Sequence, residues 1–91
     1  MLTKKEIIDL QERGGVSDTQ EMINNGSAWL MEGSVGRYAM DCLRSGACFL
    51  SEKVHYDYYG NRIPSIDEVK DGSVGSLPLS SMYWSSIVEE L

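Results

Sequence analysis

The sequence predicts an α+β fold: one small domain over residues 1–91, with short helices first and a small antiparallel sheet after them. Three observations point there. Helix-start signals and glycine stops punctuate the first half of the chain. An apolar stripe of helical period runs up to Gly46. Beyond it the pattern turns β-prone and aromatic.

The first helix is marked at both ends. Thr3 and Glu6 have capping-box spacing, Leu2, Ile7, Ile8 and Leu10 supply an apolar stripe, and Gly14-Gly15 closes it. A second helix is expected from Ser17, where Ser17 and Gln20 repeat that spacing, through Met22 and Ile23 to Asn25-Gly26. Residues 27–33 hold an apolar run too short to assign by period. The third helix is the clearest. Ser34 is placed to cap it, Val35, Tyr38, Ala39, Cys42 and Leu43 share one face, and Gly46 follows as the stop.

Ala47–Leu50 and Val54–Tyr59 read as two strands, Gly60-Asn61 as a turn, and Arg62-Ile63 as a third, edge-like strand closed by Pro64. Ser65 and Glu68 repeat the capping-box spacing before a single turn. A serine-rich loop from Ser73, then Met82-Tyr83-Trp84, leads to a short helical tail over Ile87–Leu91.

Composition narrows the function. Fourteen acids against eight bases give a net charge of −6. That balance opposes direct nucleic-acid binding, which needs a basic surface, and opposes a polybasic membrane anchor. The opening Met1–Glu6 is followed by no signal-like apolar region, and no run is long enough to span a membrane, so a cytoplasmic protein is expected. Cys42 and Cys48 are then reduced thiols acting as small hydrophobes. Their spacing to each other and to His55 does not match paired zinc ligands, and no metal or cofactor is expected.

Catalysis is the poorer reading. His55 and Asp57 sit at alternate positions of a presumed strand and could act as base and orienter, but no Gly-x-Ser-x-Gly elbow presents a nucleophile. Gly33-Ser34-Val35-Gly36 recurs as Gly72-Ser73-Val74-Gly75. Such a segment opening a helix aims amide N–H groups at one spot, and Arg37 would complete an anion site. The plainer reading, which the sequence favours, makes Ser34 a cap and the glycines a turn.

One stretch has a wider likeness. Trp29–Met40, Ser45–Cys48, Asp57–Ser65 and Glu68–Ser76 resemble small accessory proteins encoded by tailed bacteriophages and prophages; the likeness covers about residues 29–76. It implies a protein acting in the host cell, in a class that includes anti-CRISPR and other anti-defence inhibitors.

Two classes of function follow. In the first, the chain binds and inhibits a host protein or nucleoprotein complex. Tyr56, Tyr58, Tyr59, Tyr83 and Trp84 are its exposed anchors, and Asp57, Asp67, Glu68 and Asp71 supply an acidic contact. Residues 57–91 carry six acids and two bases, against eight and six in residues 1–56, so the contact is expected in the C-terminal part. In the second, a homo-oligomer sequesters a nucleotide signal, with Ser34, Gly36, Arg37, Ser73 and Gly75 on phosphates and a tyrosine of the 56–59 run on the base. A structural or assembly role is the third alternative.

Overall fold

A computed structural model describes residues 1–31 and 33–88, and the fold is α+β. Its radius of gyration, 12.4 Å, matches the roughly 12 Å of one compact body of this length. The first helix, α1 (Lys4–Arg13), starts at the capping box the sequence marks. The Thr3 N–H donates to Glu6 Oε1 at 2.9 Å, and the Glu6 N–H donates to Thr3 Oγ1 at 3.2 Å. Ile7 and Leu10 turn into the core, whereas Ile8 stays exposed.

The next helix, α2 (Ser17–Asn25), corrects the second capping box. Its cap is Val16, with no side-chain bond, because Gln20 is turned inward and only 4% exposed. The ambiguous run becomes one helical turn, α3 (Ser27–Leu30), which buries Ala28 and Trp29; Glu32 lies outside the described residues. Then comes α4 (Ser34–Ser45), whose inner face carries Ala39, Cys42 and Leu43. Here the cap is Gly33 and Ser34 makes no capping bond, which corrects its expected role. Gly46 ends α4 at φ +98°, a left-handed geometry that glycine adopts without strain.

The strand expected over Ala47–Leu50 does not form. This segment is irregular and buried, and its main chain is satisfied largely by side chains. Gln11 Nε2 and Trp84 Nε1 both donate to the Ala47 carbonyl, the Ser80 hydroxyl donates to the Gly46 carbonyl, and Gln20 bonds Phe49. With those groups occupied, no neighbouring strand is needed. The sheet instead has two short strands, β1 (His55–Tyr56) and β2 (Arg62–Ile63), antiparallel with His55 opposite Ile63 and Tyr56 opposite Arg62. The segment expected as a third, edge-like strand is thus the only partner β1 has among the described residues.

Ser65 and Glu68 close their capping box over a 3-10 turn, Ile66–Glu68. The last helix, α5 (Leu77–Ile87), begins well before the expected tail. Ser76 caps it, accepting from the Leu79 N–H at 3.3 Å, and Pro78 stands in its first turn, where a missing N–H costs nothing. The rest of the expected tail, residues 89–91, lies outside the described residues.

Trp84 fills the centre of the core at 1% exposure, with its indole N–H 3.1 Å from the Ala47 carbonyl. It is therefore no exposed anchor, because α5 carries it inward against α1. No helix among the described residues is long and apolar enough to cross a membrane.

Candidate functional site

A cleft of about 560 Å³ opens between α4 and the turn that joins β1 to β2. Local chemistry builds both walls. On α4, Gly36 faces the end of α3, where a Cβ would make ordinary contact with the Ala28 and Met31 carbonyl oxygens. Opposite, Asp57 organises the turn. Its carboxylate accepts the Tyr59 N–H at 2.9 Å and the Asn61 N–H at 2.8 Å, and the Asn61 side-chain amide donates to it as well. The Tyr58 N–H then donates to the Trp29 carbonyl at 2.8 Å, fastening the turn to the end of α3.

The lining combines aromatic and cationic groups: Trp29, Tyr58 and Tyr59 with Arg37 and Arg44, over Met40 and Ile63. Tyr58 and Tyr59 stand edge to face, ring centroids 5.3 Å apart. Arg44 is paired with Asp41 at 3.3 Å. Desolvation pushes the Asp57 carboxyl up, but its hydrogen bonds from Asn61, Tyr59 and Gly60 outweigh this and hold it below the usual range. Its charge is thus already committed. Arg37 is exposed and has no ion pair among the described residues. Trp29 is 6% exposed, and its indole N–H has no hydrogen-bond partner among the described residues.

Of the residues singled out from sequence, Gly36, Arg37, Asp57, Tyr58 and Tyr59 meet around this cleft. Ser34 does not; it borders a second hollow with Met22, Val35 and Tyr38. Ser73 and Gly75 are also elsewhere. The Ser73 hydroxyl donates to the Lys70 carbonyl, and the Gly75 carbonyl accepts from the Leu50 N–H at 3.0 Å. The two Gly-Ser-Val-Gly segments therefore do not form one anion site, because the second is used in placing the 47–50 segment.

The expected protein-contact residues also divide. Tyr56, Tyr58 and Tyr59 are 57%, 58% and 81% exposed. Tyr83 is half-buried, edge-on to Trp84 at 5.0 Å. Glu68 accepts two hydrogen bonds from the Arg62 guanidinium, which holds its carboxyl low with help from the Ser65 N–H. Asp67 and Asp71 are exposed and have no ion pair among the described residues.

The His55–Asp57 pairing is not assembled. His55 Nε2 lies 3.1 Å from the Asn24 carbonyl, and Asp57 is held within its own turn. Cys42 and Cys48 are buried free thiols, and burial pushes both up from the ordinary thiol range. No group of three His, Cys, Asp or Glu side chains converges among the described residues.

Sequence reasoning missed Trp29 and Arg44. The signal for Trp29 was the apolar run just before Gly33, a tryptophan placed where one element hands over to the next. No known family matches the chain, and comparisons with curated proteins and with solved structures find no relative.

Proposed function

We propose that this protein is a small accessory binder that docks on another protein and inhibits it, without catalysing a reaction. One observation carries the reading: Tyr58 and Tyr59 project into solvent from a turn that is itself tightly fastened, and Tyr56 is exposed on β1 just before it. An aromatic anchor on an ordered turn loses little conformational entropy when it binds, and tyrosine is enriched at interface hot spots. Leu30 and Met31, 61% and 48% exposed, follow Trp29 at the same end of α3 and enlarge the apolar surface. The net charge of −6 suits a basic target and speeds encounter with one. The likeness to phage accessory proteins supplies the setting, a host-cell protein as target.

The test compares tagged wild type with a Tyr58→Ala/Tyr59→Ala double variant in a phage host. The wild type is expected to retain one host protein at fixed stoichiometry, to lose it as salt rises, and to depress that protein's activity when the two are mixed after purification. The double variant should fold normally and do neither. Equal retention by both forms refutes the tyrosine surface, and an unimpaired target refutes inhibition.

A further inference from the structure

We infer that the cleft between α4 and the 57–60 turn is a binding site for a nucleoside phosphate, a small molecule carrying both an aromatic ring and a phosphate. The inference does not rest on the protein-docking reading; the interior of the cleft carries it.

Charge comes first. Among the described residues, four charged side chains border the cleft, and three are already engaged: Arg44 with Asp41, and Asp57 with its own turn. The charge left over is Arg37, whose planar guanidinium suits bidentate contact with phosphate oxygens. Arg37 sits in the first turn of α4, whose cap, Gly33, offers no side-chain acceptor to the opening N–H groups. Gly33 and Gly36 both line the cleft, so the positive end of the helix faces the same space as Arg37.

Hydrogen bonding adds a second, independent observation. Trp29 is part of the lining, is more than nine-tenths buried, and keeps an indole N–H with no partner among the described residues. Buried donors are nearly always satisfied, so an unpaired one beside a cleft is a donor awaiting an acceptor. Tyr58 and Tyr59 supply ring surface at the rim, and stacking on tyrosine tolerates any base. A volume near 560 Å³ lies within the usual range for small-molecule sites, roughly 300–1,000 Å³. Arg37 and Arg44 are two helical turns apart, roughly 10 Å along the axis, so a diphosphate could reach toward the second arginine by competing with Asp41.

The test is calorimetry and tryptophan fluorescence on the purified protein, titrated with the four ribonucleoside 5′-monophosphates, their diphosphates, the nucleosides and inorganic phosphate. At least one nucleotide should bind and perturb the fluorescence. Arg37→Ala should weaken binding about tenfold or more, and Arg37→Lys should fall between. Tyr59→Ala should weaken it less. Arg37 is exposed, so its variants should melt with the wild type. Failure of every nucleotide to bind overturns the inference, as does binding that survives Arg37→Ala. Inorganic phosphate or a bare nucleoside binding as tightly as the nucleotides overturns it too, because half of the proposed recognition would then be idle.

Discussion

The side-chain amide of Gln20 bonds the main chain of Phe49 in both directions: Nε2 donates to the Phe49 carbonyl at 2.9 Å, and Oε1 accepts the Phe49 N–H at 3.0 Å. One glutamine thereby does for Phe49 what a neighbouring strand does elsewhere. Gln11 extends the network, its Nε2 reaching Gln20 Oε1 at 2.8 Å and the Ala47 carbonyl at 3.0 Å. Gln20→Ala strands two buried backbone groups and opens a cavity. It should cost about 3 kcal/mol and lower the midpoint by more than about 10 °C. Gln20→Met keeps the volume and should recover only the cavity part. Denaturant titration of the three proteins separates the two contributions, and a neutral Gln20→Met would show that the bonds contribute little.

Gly46 is the second sensitive point. At φ +98° any Cβ is strained, and the one built there meets the Leu79 carbonyl oxygen at 2.7 Å and Tyr83 Cβ at 2.9 Å. Gly46→Ala should therefore cost more than about 2 kcal/mol, above the roughly 1–2 kcal/mol of left-handed geometry alone. A loss below 1 kcal/mol in urea titration would mean that α5 shifts away without penalty.

Stability should fall in acid. The Thr3 N–H holds the Glu6 carboxyl low, Lys4 does so for Glu52, and Arg62 for Glu68. In each case the unfolded chain binds protons at higher pH than the folded one does. The contribution is thus complete above about pH 5 and is lost as pH falls through the folded values. At the other end, burial raises the two thiols, so stability should decline as pH climbs past about 8. Urea midpoints from pH 2.5 to 10 should trace a plateau with two falling flanks, and Glu68→Gln should flatten the acid one. A curve level down to pH 2.5 would contradict the ion-pair and capping contacts.

The thiols should be chemically silent in the native state. Cys42 and Cys48 are buried, and the thiolate that reagents attack is suppressed at both. A disulfide reagent at pH 8 should titrate both only at the rate of unfolding and immediately in guanidinium. Native-state labelling at free-thiol rates would contradict the burial.

Local signals were the legible part of this sequence. The Thr3–Glu6 and Ser65–Glu68 boxes are short-range chemistry and form where spacing says they do; the α4 stripe is buried at Ala39, Cys42 and Leu43, while Tyr38, expected on the same face, is exposed. The 47–50 segment misled because strand-prone residues also suit a buried irregular run, and its partners, Gln11 and Gln20, stand at least 29 residues away. Gln20 was read as half of a capping box for the same reason: its spacing was visible and its burial was not. Ser76-Leu77-Pro78 was a readable start for α5 that the serine-rich stretch disguised. The cleft itself joins Trp29 and Arg37 to Tyr58 and Tyr59, a convergence only the tertiary fold creates.

The placement of Trp84 also governs when the molecule can come into being. Synthesis runs from the N-terminus, and the centre of the core arrives on the last helix, which folds back onto the first; the Leu2 N–H bonds Ser81 Oγ across 79 residues. Until that helix has left the ribosome, α1 and α4 lack the element that packs on both, and a contact of such long range closes slowly. Folding of this domain therefore waits for α5. During translation the nascent chain is exposed to proteases and chaperones over its whole length, and a chain cut short before Leu77 lacks the tryptophan around which the core closes.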